Sequence, residues 1–263
     1  MGVINVTPDS FSDGGVAFDP AHAADLAVAM QAAGADIIDI GAESTRPGAT
    51  PVGTAEEIAR VLPVLRALAL RVRVPISIDT YKSEVADLAL DEGASIVNDI
   101  SGLQYDPRLG PLVAAKGAPI VLMHTRGRPQ DMYAHAEYAD VAGEVATDLQ
   151  RAVERALASG IASDQIVVDP GLGFAKRAPQ SLAALVNLGR LAELGFPLLV
   201  GPSRKSFMTA STGPLDAEAR DWPTAAAVTA AVLGGAHIVR VHRVPEMVHV
   251  VRLADALREA SGV

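Results

Sequence analysis

The sequence of 263 residues contains no cysteine. Disulfides, thiolate nucleophiles and cysteine-ligated zinc are therefore excluded. Positive charge is also in short supply: 22 Lys and Arg stand against 31 Asp and Glu, for a net charge of −9. That balance argues against a general nucleic-acid or membrane-surface binder, so an anionic ligand needs a local cluster of cations. The amino terminus lacks a basic-then-apolar signal pattern, and no apolar run is long enough to span a bilayer. A cytoplasmic protein is the expectation. No linker or low-complexity segment interrupts the chain, which points to one domain over residues 1–263. What is plentiful is apolar: 49% of residues are hydrophobic and 20% charged, enough for a large core.

The apolar residues fall into eight short runs bounded by turn formers. They are Gly2–Val6, Asp36–Ile40, Pro75–Ile78, Ser95–Val97, Pro119–Met123, Ile166–Val168, Leu198–Val200 and Ile238–Val241. Runs of this length and composition suit buried parallel strands. Helical patterns lie between them: Pro20–Ala33, a helix opening with Thr54 as its cap, Ser83–Leu90, Ala139–Ser159, Gln180–Leu194, Thr224–Leu233 and Pro245–Glu259. Several stop at a glycine, which suits a helix C-cap. Strict alternation with eight strands predicts an α/β fold, a single-domain (β/α)8 TIM barrel. The runner-up is an open doubly wound sheet, but no Gly-rich dinucleotide fingerprint follows the first strand. The longer loops, 7–19, 42–53, 125–136 and 201–222, all follow strands. In a parallel barrel they share the face at the carboxyl ends of the strands, where active sites of this fold sit.

That face collects chemistry. Asn5, Asp79, Asn98, Asp169, Lys205, Arg240 and His242 lie at or just beyond strand ends. One such residue alone often just satisfies nearby backbone. Seven at one mouth are hard to explain as structure, because charged groups are seldom buried without partners. Two aspartates and an asparagine form an acceptor array that suits a ligand rich in N–H groups, such as an aminopyrimidine edge. Lys205, Arg240 and His242 suit a carbonyl or phosphate oxygen. Arg240 and His242, two apart on a strand, point the same way. The stretch Ser203-Arg204-Lys205-Ser206 carries no Walker spacing; it reads as cations delivered to a helix N-terminus, a place for an anion.

These motifs resemble one family. Met1 to Gly15 (MGVINVTPDSFSDGG) and Asp39 to Gly48 (DIGAESTRPG) are similar to the two opening signatures of dihydropteroate synthases. Ser77–Thr80, Val97–Gly102, Met123-His124, Asp169–Phe174, Gly201–Ser206 and Arg240–His242 continue the match in order over nearly the whole chain. The resemblance implies a barrel enzyme of folate synthesis. It joins 4-aminobenzoate to the diphosphate ester of 6-hydroxymethyl-7,8-dihydropterin and releases diphosphate. It also implies roles. Asp79, Asn98, Asp169 and Lys205 hold the pterin, with Met123 against its ring. Asn5, Arg240 and His242 hold the diphosphate with Mg2+, Asn5 being the metal ligand. Ser206, Phe174, Thr45 and Pro47 border the aminobenzoate, whose carboxylate sits at the helix N-terminus at Ser206. Phe11 and Asp13 ride on the first mobile loop and Arg46 on the second. Asp79, Lys205, Arg240 and His242 are the residues on which catalysis is expected to depend. The partners implied are the two small-molecule substrates and a second copy of the chain in a homodimer, with neither nucleic acid nor membrane.

Competing readings differ in what they require. A pterin-binding barrel of the corrinoid methyltransferase type shares the acid–amide array but has no use for a diphosphate site; Arg240 with His242, the Ser203-Arg204-Lys205 run and the first-loop signature speak against it. A non-catalytic paralogue has no reason to keep all seven residues. A Schiff-base aldolase on Lys205 places its lysine beside Arg204, in the loop beyond the strand. His22, His135, His237 and His249 lack ligand spacing and read as surface or partly buried. His124 is ambiguous, and Asp39 and Glu43 read as buried partners for loop backbone. Arg126 and Arg128 read as meeting only solvent, and Trp222-Pro223 as a helix start. Arg204 has no assignable role. Only four of the basic residues are lysines, so a lysine at 205 fits a need for a compact donor. Family members usually carry a segment before the first strand, which here begins at Gly2.

Overall fold

The computed structural model describes residues 1–7 and 19–261. Eight parallel strands are present: β1 (Gly2–Asn5), β2 (Ile38–Gly41), β3 (Ile76–Asp79), β4 (Ile96–Asp99), β5 (Ile120–Met123), β6 (Ile166–Asp169), β7 (Leu199–Val200) and β8 (Ile238–Val239). β1 to β6 pair in sequence order, and β7 pairs with β8. Two bridges close the ring, Val168 to Leu198 and Gly2 to Val241. The closing seam is hydrogen-bonded, with Val3 N donating to Val241 O at 3.0 Å. A closed ring leaves no sheet edge, and the expected barrel is the fold found.

The helices are α1 (Pro20–Ala32), α2 (Thr54–Leu68), α3 (Ser83–Asp91), α4 (Leu109–Lys116), α5 (Val141–Ala158), α6 (Ala178–Val186), α7 (Gly189–Ala192), α8 (Thr209–Thr212), α9 (Asp221–Leu233) and α10 (Val244–Ser261). Their inner faces explain them. On α5, Val145, Leu149, Ala152, Val153 and Ala156 are buried at spacings of three and four. Asp140 caps that helix by accepting from Gly143 N. α1 presents Ala23, Ala24 and Ala27, small enough to lie close on the barrel wall. The strand register places Ile38, Ile40, Ile78, Val97, Ile120, Leu122, Ile166 and Val168 on one face of that wall, all fully buried. Each such side chain contributes ~1.5–3 kcal/mol by burial.

Four local expectations are corrected. α4 was not among the expected helices; its first turn holds Gly110 and Pro111, and a proline early in a helix breaks no hydrogen bond. The expected helix Gln180–Leu194 is two pieces separated at Asn187-Leu188, where Asn187 and Gly189 are weak helix formers. Thr54 is the first helical residue of α2, and its cap position belongs to Gly53, with no side-chain cap. Trp222-Pro223 is part of a helix start, as expected, but α9 begins at Asp221 rather than Thr224. His22, His135, His237 and His249 are exposed, as expected. No described helix is long and apolar enough to cross a membrane.

Candidate active site

Strand register brings the polar groups into one row. Asn5 aligns with Gly41, Gly41 with Asp79, and Asp79 with Asn98. Two strands on, Met123 aligns with Asp169. Gly41 makes room: a Cβ there would sit 3.3 Å from Asp79 Oδ2. The bare backbone at this point lets the carboxylate occupy the mouth.

Arg240 leaves the end of β8 and reaches across that mouth. Its Nε donates to Asp39 Oδ2 at 2.7 Å, and its Nη2 donates to Asp79 Oδ2 at 2.7 Å. Asn98 Nδ2 donates to the same Asp39 oxygen at 3.3 Å. Asp39 is fully buried, and among the described residues its Oδ1 has no partner. The sequence reading placed Asp39 against loop backbone; it instead belongs to the charged cluster. The signal available was a carboxylate in the middle of an otherwise apolar strand. Burial raises the Asp79 pKa, Arg240 opposes this, and the charge of Asp39 reinforces it.

Lys205 sits on the far side. Its Nζ donates to Leu172 O and lies 4.4 Å from the centre of the Phe174 ring. Burial lowers its pKa to about 8, with Asp169 pulling the other way. Asp169 is buried and accepts from Gly171 N at 2.7 Å. Burial raises its pKa, and Lys205 works against that. The acid–amide row and the lysine therefore face one space with opposite hydrogen-bonding demands.

The third group is neutral. His242 Nε2 lies 3.5 Å from Asn5 Nδ2, and its Nδ1 lies 2.9 Å from Ser203 Oγ. Asn5 offers a donor there, so the ring proton belongs on Nδ1, where it donates to Ser203. Burial, then Arg240, pushes the His242 pKa down to about 3. Arg46 is near enough for its charge to act on His242. Thr45 is half-buried, while Arg46 and Pro47 are exposed, on a loop whose Gly48 N donates to Pro129 O at 2.9 Å. Phe11 and Asp13 lie outside the described residues.

The segment after β7 differs from expectation. Ser206 is exposed and opens a single 3-10 turn, Ser206–Met208, followed only by the short α8. The helix dipole argued from sequence is therefore small, and the hydroxyl and backbone N–H groups remain as anion donors. Arg204 has a role after all. Its φ is +58°, an unusual conformation for a side chain of this size. Its Nε and Nη2 donate to the two oxygens of Asp221 at 2.8 and 2.9 Å, and its N donates to Thr224 Oγ1 at 3.0 Å. The forked pair moors the turn to α9 and lets Lys205 face the mouth.

Other charged residues missed in the sequence brace the loops. Lys82 donates to Glu43, to Glu57 and to Val52 O, tying both ends of loop 42–53 to the end of β3. Arg126 and Arg128, expected to meet only solvent, stack on Tyr138 and Tyr105 with 4.2 and 4.3 Å to the ring centres. Arg126 also pairs with Asp148 and Glu144. A surface cleft of about 580 Å³ lies beside these groups, lined by Arg126, His135, Asp148, Arg151 and Arg155. It is separate from the strand-end row: of the row and its cations, none lines it.

Gly171 yields a prediction. Its φ is +63°, and a Cβ on it would lie 2.0 Å from His124 O. Gly171→Ala is expected to cost about 2 kcal/mol or more, because both the conformation and the backbone contact must give. For a domain of this size that is a fall of ~4 °C or more in Tm by calorimetry. An unchanged Tm would show that the loop moves freely.

The comparisons with known proteins agree with this geometry. The family described as Pterin binding enzyme matches residues 1–242. A dihydropteroate synthase of Synechocystis sp. is 48% identical over 98% of this chain and 89% of its own length. The crystal structure of the Yersinia pestis dihydropteroate synthase with a sulfonamide drug superposes with a TM-score of 0.93 at 40% identity, covering 98% of this chain and 94% of that one. The Xanthomonas albilineans dihydropteroate synthase in complex with 7,8-dihydropteroate gives a TM-score of 0.89 at 36% identity, covering 98% and 92%. With that similarity running the length of the barrel and a charged row at its mouth, the chain belongs to the pterin-binding enzymes, in the dihydropteroate synthase family.

Proposed function

We propose that the chain catalyses the dihydropteroate synthase reaction, a transfer in folate biosynthesis. The (7,8-dihydropterin-6-yl)methyl group passes from diphosphate to the amino group of 4-aminobenzoate. The methylene carbon loses its bond to the diphosphate oxygen and gains one to the amine nitrogen, which gives up a proton. One observation carries the reading: an acid–amide row (Asp79, Asn98, Asp169) shares a single mouth with two cations, Lys205 and Arg240, and the neutral His242. The row matches the N–H edge of a pterin, and Lys205 its ring oxygen. Met123, 4% exposed at the end of β5, is the residue assigned to the face of the ring.

The leaving carbon is attached to an electron-rich ring, so the transition state is cation-like and needs no covalent nucleophile. The site's work is to accept departing negative charge and to exclude water. Arg240 is already oriented by two carboxylates, and Asn5 and His242 stand beside it. Mg2+, when bound, supplies charge against the departing diphosphate. The donor set fits such an ion: Asn5 has an amide oxygen, and no described cluster of three or more His, Asp or Glu builds a protein cage. Mg2+ is commonly held by few protein groups plus substrate phosphates. Phe174, Ser206, Thr45 and Pro47 border the aminobenzoate.

A homodimer is the proposed assembly, in the cytoplasm. Leu253 and Leu257 on α10, with Leu233 at the end of α9, are exposed leucines on two adjacent helices. Sedimentation at micromolar protein checks this; a monomer would refute it. The reaction itself is tested by mass spectrometry of protein mixed with both substrates and Mg2+. The expected product is 7,8-dihydropteroate, lost on adding a chelator. Folded protein that makes none would overturn the assignment.

A further inference from the structure

The loop after β6, residues 170–176, enters the left-handed region three times, at Gly171 (φ 63°), Gly173 (φ 80°) and Ala175 (φ 47°). A path of this kind persists only where its surroundings fix it. Lys176 does much of the fixing. It is 1% exposed, and its Nζ reaches Gly171 O at 3.2 Å, Phe174 O at 3.1 Å and His124 Nδ1 at 2.7 Å. An ammonium group has three protons, and here are three acceptors. A neutral amine would leave one of them unmet.

The counter-charge lies on the far side of the imidazole. With Nδ1 accepting from Lys176, the ring proton sits on Nε2, which faces Asp148 Oδ2 at 3.3 Å. Burial lowers the basicity of both Lys176 and His124, while the bond from His124 is the main reason Asp148 is held below the usual carboxylate range. Asp148 is itself held by Arg126 at 2.9 Å and Arg151 at 2.9 Å. The result is a hydrogen-bonded chain from the buried Lys176 through a neutral histidine to Asp148, running from loop 170–176 through the end of β5 to α5. Tyr138 OH adds a bond to Ala175 O at 3.0 Å.

The other side of the same loop is the site wall. Gly171 N holds Asp169, Leu172 O receives Lys205, and the Phe174 ring lies against the Lys205 ammonium. We propose that Lys176, balanced through His124 by Asp148, is a positioning residue for the synthase reaction: it sets the shape of loop 170–176 and so the placement of Lys205 and Phe174 against the substrates. The inference rests on the function proposed above.

The test uses the full chain and steady-state rates with both substrates varied. Lys176→Met is expected to remain folded by near-UV circular dichroism, with KM for 4-aminobenzoate raised about tenfold and kcat changed less than about threefold. Asp148→Asn, on a partly exposed side chain, is expected to raise the same KM about threefold. The double variant should be no worse than Lys176→Met alone, since both act through one connection. Folded Lys176→Met with kcat and both KM values within twofold of the parent would overturn the proposal, as would losses that multiply in the double variant. If Lys176→Met does not fold, Asp148→Asn decides: a threefold rise in KM supports the proposal and an unchanged KM overturns it. The parent protein run alongside separates the two readings, because folded but inactive parent protein overturns the synthase assignment and this inference with it.

Discussion

Lys205→Met is expected to lower kcat/KM by about two to three orders of magnitude while the barrel stays folded. The side chain is unbranched in both residues, so the space beside Phe174 is filled in either case. What is lost is a charged donor to the pterin oxygen, worth ~1.5–3 kcal/mol, and the acceptor at Leu172 O is left unmet, costing a further ~1–3 kcal/mol. The pH dependence carries a sign. The folded pKa is lowered from 10.5 to about 8 by burial, so between these values the unfolded chain binds more protons than the native one. Stability therefore rises with pH across that window. Substrate affinity moves oppositely, since the ammonium is lost as pH passes about 8. A kcat/KM profile that falls above pH 8 in the parent, and is flat and low in Lys205→Met, is the expected measurement. Parent-like kcat/KM in the variant would remove Lys205 from the site.

Arg240→Leu is expected to be the most damaging substitution for stability. It leaves Asp39 and Asp79 facing each other in the barrel mouth without their cation. Removing one partner from a buried ionic group costs ~3–5 kcal/mol. Again the sign is fixed. The folded pKa of Asp79 is already raised by burial, so below it the native state binds more protons than the unfolded chain, and stability falls as pH rises through the range between the two values. Removing Arg240 deepens this. Denaturant unfolding should show a deficit largest near pH 8 and partly recovered near pH 5, where a shared proton relieves the pair. A deficit under 1 kcal/mol at pH 8 would mean that water already compensates the two carboxylates.

The barrel was legible because its strands are short apolar runs closed by polar residues, and such runs announce themselves wherever both faces of a strand are covered. The row Asn5, Asp79, Asn98 and Asp169 was legible for the same reason: each interrupts or ends an apolar run. Asp39 was visible but misread, because periodicity cannot say whether a buried carboxylate meets backbone or a guanidinium 201 residues away. Lys176 and Lys82 gave no signal: Lys82 lies in a polar stretch and Lys176 beside Arg177 in a loop, where a charge looks solvated, and only the fold buries Lys176 and half-buries Lys82. Arg204 had no role assignable from sequence. Its positive φ turns it toward Asp221, a conformation that no sequence pattern marks. Helix α4 carries Gly110 and Pro111 in its first turn, so these residues end a helix only when they fall beyond that turn.

Release of diphosphate followed with and without 4-aminobenzoate tests the central claim most directly. The arrangement of Arg240, His242 and Asn5 is expected to hold the diphosphate in place, with the site shielded from water until the amine arrives. The account predicts release only with 4-aminobenzoate present, one diphosphate for each dihydropteroate. Release at the same rate without the amine, or none at all from folded protein, would contradict it.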